Sequence, residues 1–370
     1  MKFQVRPAEA GDNEKILRLL ANNPQSGSVS LAFERSPDYF NGAHVSCEHP
    51  DVYVLTPQPG QGQAEDRILG IFNIGHRRLY VDGQPRKVHY VHDVRLEPDV
   101  RGGEALMACY DEAREQLCHD DLAQTVVLSD NIPVLRAISK KREGLPDIFS
   151  TADIETSLIS GLNTQARGCS GLHIRQANRL DIPRMQALVE EEGARRQFFP
   201  CYDFQALLSG DPYYFGLRVE DYWLAFDGEA LKGMVAVWDQ KEIRQTRVVR
   251  YSPMIALARP FYNLWCRFSG AMQLPPSGQC FDYLMLHTVL IRDHEPLVLR
   301  DLLGHLQQRY RRDYHAMVCG LCTVDPLREA LKGFTRRTLM SYQFLGDWHG
   351  RDPRENLDSH RIPFAEVARL

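Results

Sequence analysis

The densest chemistry in the sequence lies in one stretch, Val88-His89-Tyr90-Val91-His92-Asp93-Val94-Arg95-Leu96-Glu97-Pro98-Asp99-Val100-Arg101-Gly102-Gly103-Glu104-Ala105-Leu106. Its pattern predicts a strand over Val88 to Leu96, a short loop with two glycines, and a helix that begins at once. Such a junction aims unpaired backbone N–H groups and the positive end of a helix dipole at one point, which makes a socket for an anion. The glycines let a pyrophosphate approach the backbone more closely than a Cβ would allow. Along the strand, Tyr90, His92, Val94 and Leu96 share one face, and His89, Val91, Asp93 and Arg95 share the other. Histidine is suited to taking a proton near neutral pH, and the alternative for His92 is a satisfied residue on a packed strand. His89 and His92 point to opposite faces and hold no metal jointly.

The elements around this stretch occur twice. Phe3-Gln4-Val5-Arg6-Pro7-Ala8 leads into Asp12 and a helix-like Ile16-Leu17-Arg18-Leu19-Leu20, and Leu172-His173-Ile174-Arg175-Gln176-Ala177 leads into Asp181 and Met185-Gln186-Ala187-Leu188-Val189. Both blocks predict a strand and then a capped amphipathic helix. Antiparallel hairpins follow, with Gly70 and Gly233 in their second strands. Next come long strands (Val88 to Leu96, Tyr283 to Ile291), helices (Glu104 to Leu117, Leu297 to Tyr310) and further strands (Thr125 to Leu128, Ala316 to Thr323). The predicted order in both halves is β-α-β-β-β-α-β-α-β, an α/β (α+β) fold of two tandem units, each a mixed, mostly antiparallel sheet flanked by helices. The boundary falls in the polar stretch from Ser160 to Gly168, giving residues 1–162, 170–350 and a tail at 351–370. The halves differ in two insertions, Asn22 to Pro50 and Ser252 to Cys280. The second carries an aromatic helix, Phe261 to Phe268, expected to pack between the domains or to wall an acceptor pocket.

Composition narrows the function classes. Hydrophobic residues make up 44% and charged residues 25%, the balance of a folded globular protein. With 44 Lys and Arg against 48 Asp and Glu the net charge is -4, which leaves no basic excess for a nucleic-acid partner. No stretch approaches a membrane span, no signal peptide opens the chain, and a cytoplasmic location is expected. Nine scattered cysteines fit reduced, buried thiols better than a disulfide framework. Cys319-Gly320-Leu321-Cys322 lies in an apolar strand with no second pair, and Cys118-His119-Asp120-Asp121 ends a helix, so neither is read as a metal site.

The strand, glycine loop and helix resemble motif A of the GNAT superfamily of acyl-CoA-dependent N-acetyltransferases. Pro98 ends the strand, Gly103 and Ala105 match the Gly-x-Ala pair, and Arg101-Gly102 resembles the usual Arg-Gly. Counting back from Gly103, Val100 takes the Gln/Arg place; keeping Arg101 in register requires a loop one residue shorter. Gly70 and the later Ser129-Asp130-Asn131-Ile132-Pro133-Val134-Leu135 extend the likeness over nearly all of residues 1–160. The second half keeps the order of elements, but Ile291 to Leu297 has no glycine, so it resembles a degenerate copy.

The resemblance implies acyl transfer from acetyl-CoA or another acyl-CoA, a co-substrate, to an amine on a small molecule or peptide, with no metal. The pyrophosphate would rest on the amides of Arg101, Gly102, Gly103, Glu104 and Ala105. The pantetheine would lie along the strand, whose N–H groups from Val94 to Leu96 would polarise the thioester carbonyl, and Asn131 would join the cofactor site. A lysine-like amine, with pKa about 10.4, is protonated at neutral pH and needs a base, and the family positions for one are His92 and Tyr90. Ile138 occupies the place of the family's usual tyrosine acid; a leaving thiol of pKa about 8.5 departs without one, or a residue of the second half supplies it. The second half would complete the acceptor site or a homodimer. A CoA-binding sensor without turnover, or a transferase using another acyl donor, are the alternatives of different class.

Overall fold

The computed structural model describes residues 2–25, 27–58, 67–117, 122–140, 144–162, 171–269 and 271–370. The Cys118–Asp121 cluster and most of the expected linker, residues 163–168, lie outside them. The first half runs β1 (Phe3–Pro7), α1 (Asn13–Ala21), β2 (Val29–Glu34), α2 (Tyr39–Ser46), β3 (Val52–Pro57), β4 (Gly70–Asn73), β5 (His76–Val81) and β6 (Gln84–Tyr90). It continues with β7 (His92–Leu96), α3 (Gly103–Gln116), β8 (Leu122–Leu128), α4 (Ile132–Ile138) and β9 (Asp147–Leu162). The second half runs β10 (His173–Gln176), α5 (Ile182–Leu188), β11 (Phe199–Pro200), α6 (Phe204–Ser209), β12 (Tyr222–Asp227), β13 (Ala230–Trp238) and β14 (Gln245–Tyr251). It closes with α7 (Pro253–Ser269), β15 (Tyr283–Ile291), α8 (Pro296–Tyr310), β16 (Ala316–Cys322) and β17 (Phe334–Asp347).

The expected repeat is present in side-chain detail. Arg6 grips Asp12 through two bonds (2.7 and 2.9 Å), and Arg175 grips Asp181 in the same way (2.7 and 2.6 Å). Each pair ties an opening strand to the turn ahead of its helix with the bidentate geometry that arginine favours. Gly70 and Gly233 recur for one reason: a Cβ at Gly70 would fall 2.5 Å from Leu96, and one at Gly233 would fall 2.5 Å from Ile291.

The halves do not keep their sheets to themselves. An eleven-stranded sheet runs β10-β12-β13-β15-β16-β9-β17-β8-β6-β5-β11, beside a four-stranded sheet β1-β3-β4-β7. The last strands are therefore exchanged: β17 lies between β8 and β9, and β9 lies between β16 and β17. The two insertions also pair with each other, β2 against β14, in a separate two-stranded ribbon.

That ribbon corrects the expectation for α7. Carried outside the main sheets by β14, the helix is not packed between the halves. Met254, Leu257, Phe261, Leu264, Trp265 and Phe268 are all exposed, and Asn263 and Tyr262 fasten the other side to carbonyls of Leu274 and Met272. The two helices that follow the long strands differ as well. Helix α8 buries Val298, Leu299, Leu302, Leu303 and Leu306, each contributing about 1.5–3 kcal/mol. Helix α3 buries only Ala105, Cys109 and Ala113, a shallow seam that leaves Gly103 and Glu104 at the surface.

Candidate active site

The predicted strand from Val88 to Leu96 is broken where the chemistry sits. Its first part, β6, runs parallel to β8 with Val88, His89 and Tyr90 opposite Leu122, Ala123 and Gln124. The Val91 N–H still reaches the Gln124 carbonyl (2.8 Å), and there the contact ends. The chain then passes into β7, which pairs with β4 alone. Beyond Val91 the two strands diverge into a wedge, and β7 presents a free edge to it. Such an edge offers a row of N–H and C=O groups for an extended ligand to pair with.

A bulge stands at the head of the wedge. His92 faces Asn73 and Arg95 faces Ile71, so Asp93 and Val94 share one partner position, and Asp93 takes φ 52°. The extra residue of a bulge falls out of the ladder, which frees an amide beside the place expected for a thioester carbonyl. The bulge also overturns the simple alternation. Tyr90 and His92 do stack on one side, ring centroids 4.7 Å apart. Asp93 joins that side instead of the opposite one: its Oδ2 lies 3.3 Å from His92 Nδ1, without the alignment of a hydrogen bond.

Asp93 is fixed from behind. Arg35 donates to both carboxylate oxygens (3.1 and 2.9 Å) and the Tyr39 hydroxyl donates to Oδ2 (3.3 Å). Burial would raise its pKa, but its neighbours, the Arg35 guanidinium foremost, outweigh that and hold it well below the usual carboxylate range. Burial lowers the pKa of His92, and Asp93 pulls it only partly back, so the imidazole is neutral at pH 7. Its Nε2 lies 3.7 Å from Cys47 Sγ. Burial pushes the Cys47 thiol up to about 12, which leaves it a hydrogen-bond donor and not a nucleophile. Nothing in the strand's periodicity pointed to Arg35, Tyr39 or Cys47, which come from the first insertion; the one available signal was an acidic residue next to the candidate base.

At the far end of β7, Pro98–Val100 forms one tight turn and α3 starts at Gly103. Gly102 and Gly103 take φ 84° and 53°, and the direction in which a Cβ would point is clear of other atoms at both. Glu104 is exposed at the first turn and Ala105 is buried beneath it. Arg101 turns its side chain back to the Leu96 carbonyl (3.2 Å) and Asn23 Oδ1 (2.6 Å), so it offers the socket its backbone only. Val100 packs against the core under the loop. Val94 is 40% exposed on the wedge strand while Leu96 is buried. Asn131 stands at the start of α4 with its N–H on the Leu128 carbonyl (3.0 Å), and Ile138 is the last residue of that helix. The structure thus gathers Tyr90 and His92 at one end of the strand and the glycines at the other.

The second half repeats the geometry with different contents. Strand β15 runs parallel to β16 through Met285 and then leaves it, with a bulge at Thr288 (φ 52°) and His287 in the place of His92. Here the chain's own residues 366–370 fill the space. The Thr288 N–H donates to Glu366 (2.8 Å), and Gly320 on β16 admits Val367 so closely that a Cβ would fall 1.9 Å from it. Arg369 donates to His287 Nε2 (3.0 Å) and to the Val45 and Tyr213 carbonyls. The loop before α8 has no glycine and is met by Arg195 on Asp293 (3.4 Å) and Arg196 on His294 (2.9 Å). Cys319 and Cys322 are buried on β16, their thiols pushed up to about 12 by desolvation. Among the described residues no group of three His, Cys, Asp or Glu side chains is placed to hold a metal, and no helix is long and apolar enough to cross a membrane.

The fold of these two units, each with a strand that splays at a bulge, is similar to that of known acyltransferases of the GNAT type. N-myristoyltransferase from Saccharomyces cerevisiae superposes with a TM-score of 0.57 at 10% identity, over 96% of this chain and 87% of the yeast one. A GCN5-related N-acetyltransferase from Anabaena variabilis superposes with a TM-score of 0.51 at 11% identity, over 93% of this chain and 72% of the other. At these identities the likeness establishes the fold. No family model and no curated relative matches the sequence.

Proposed function

We propose that the chain moves an acyl group from an acyl-CoA to an amine, with the donor bound in the first half only. The observation that carries this reading is the wedge between β7 and β8, with a glycine-lined helix start at one end and a neutral, buried histidine at the other. The pyrophosphate would sit on the amides from Arg101 to Ala105, and the pantetheine would pair with the free edge of β7. The amide freed at the bulge would hold the thioester oxygen as it gains charge. His92 takes the proton of the incoming ammonium, and the free amine attacks the thioester carbon. A C–N bond forms and the C–S bond breaks; the second amine proton passes to the departing CoA thiolate, and the proton held by His92 is released to solvent. Asp93, pinned by Arg35 and Tyr39, keeps the imidazolium that forms beside an opposite charge, and Tyr90 braces the ring. Acetyl-CoA is the donor to test first, and the exposed Val94 on β7 suits longer acyl groups as well.

Calorimetry tests the donor half of the reading. One CoA is expected per chain, with binding weakened at least 100-fold in Gly103→Asp, where a carboxylate would face the pyrophosphate. Two equivalent sites, or unchanged binding in that variant, would defeat the assignment.

A further inference from the structure

Buried polar atoms are normally hydrogen-bonded, and each exception asks for an explanation. Around Tyr90 the exceptions crowd together: Asn73 Nδ2, Arg77 Nε, Gln124 Nε2, Tyr213 Oη and Arg244 Nε are all buried without a hydrogen-bond partner among the described residues. Asn73 stands opposite His92 on β4, and Gln124 stands opposite Tyr90 on β8. Arg77 lies over the Tyr90 ring with its guanidinium carbon 3.9 Å from the centroid. Arg77 and Arg244 are both near enough to Tyr90 and Cys47 to act on their charges, and Arg77 acts likewise on Tyr213.

The set is rich in donors and positive. Arg77 is only 4% exposed, yet among the described residues its guanidinium has neither a hydrogen bond nor a carboxylate. Arg244 donates to Ser46 Oγ and the Ala368 carbonyl and likewise has no carboxylate. Among the described residues Asp93 is taken by Arg35 and Glu48 by Arg78, and neither forms an ion pair with Arg77 or Arg244. A buried, unpaired guanidinium is costly, and its planar fork fits a carboxylate. The pair is in the wrong place for the CoA phosphates, because Tyr90 and Leu96 stand about 20 Å apart at ordinary strand rise and the glycine socket lies beyond Leu96.

We infer that Arg77 and Arg244 form the carboxylate subsite of the acceptor, so that the amine to be acylated belongs to a free amino acid. The inference rests on the acyl-transfer reading above for the direction in which the amine points. The stack of Arg77 on Tyr90 and Tyr90 on His92 (4.7 Å) separates carboxylate from amine by no more than one ring, which suits a small amino acid.

The test is a product-mimic pair that differs only in charge. N-acetylglycine and N-acetylglycinamide are titrated into the full chain by calorimetry, with and without CoA. The acid is expected to bind at least tenfold more tightly than the amide; Arg77→Met should abolish that preference and Arg77→Lys should keep part of it. Arg244→Met covers the case in which Arg77→Met fails to fold. Equal affinities, no binding of either compound, or a preference that survives both Met variants overturns the carboxylate subsite. CoA titrated alongside separates the two readings: retained CoA binding without discrimination removes the subsite alone, whereas absent CoA binding removes the acyl-transfer reading.

Discussion

The two halves build the same splayed strand and then use it differently. In the first, the bulge at Asp93 is left beside a free strand edge; in the second, the equivalent bulge at Thr288 is capped by Glu366 from the end of the chain. The difference extends to the two helices. Helix α3 opens with glycines and binds the sheet through small residues, while α8 lacks the glycines and is riveted by five aliphatic side chains. The two halves thus separate two demands that conflict in one unit: a ligand site needs unsatisfied amides and clear space, and a stable core tolerates neither.

The sharpest way to break this comparison is to exchange the roles of the two histidines by mutation. His92→Ala should lose roughly 10²–10⁴ in kcat with CoA affinity within a few-fold, the usual worth of a general base. His287→Ala should leave the acyl-transfer step intact and instead cost about 1–3 kcal/mol of stability, because it strips Arg369 and Thr288 of a buried partner. Steady-state kinetics and urea midpoints on both variants decide it, and an unchanged kcat in His92→Ala would make that residue structural.

Acid should reveal the same contrast. Burial holds His92 below its ordinary pKa of 6.5 and His287 well below it. With the folded-state value depressed, the unfolded chain binds more protons, so stability is full above pH 6.5 and falls as pH drops below it. His287→Gln should flatten that decline, by up to about 1.4 kcal/mol per pH unit. The acidic limb of kcat, governed by His92, should lie below pH 6.5.

A smaller effect is expected from the plug. Glu366→Gln should cost about 1–2 kcal/mol, since a charged acceptor of the Thr288 amide and the Tyr202 hydroxyl is lost. It should not create a second CoA site, because the second loop still has no glycine; a stoichiometry of two in that variant would overturn this account. Smallest of all, Phe261→Ser with Phe268→Ser on α7 should change stability by less than about 0.5 kcal/mol, as both side chains are already in solvent.

Much of the frame was legible in the sequence. The Arg6–Asp12 and Arg175–Asp181 pairs announced the repeat, and Gly102-Gly103 marked the helix start that could take an anion. The bulges were not legible, because positive φ is usually advertised by glycine and here falls on Asp93 and Thr288. Alternation therefore sent Asp93 to the wrong face. Pairings between distant segments, β2 with β14 and β17 with β8, leave no trace in local periodicity, and so Arg35, Tyr39, Arg77 and Arg244 could not be gathered around His92 in advance. The exposure of α7 was hidden for the same reason, since an apolar helix reads alike whether it faces a core or solvent.

The exchanged strands reach back to the ribosome. Synthesis adds about 5–20 residues per second, so β8 and β9 emerge tens of seconds before β17, the strand that must lie between them. Through that interval the first half carries one unfilled edge on β8 and two on β9, whose neighbours β16 and β17 both come later, and β2 waits equally long for β14. The first half is therefore finished only when β17 arrives, and a premature stop before Phe334 would leave edges open to pairing with other nascent chains in place of a smaller folded unit.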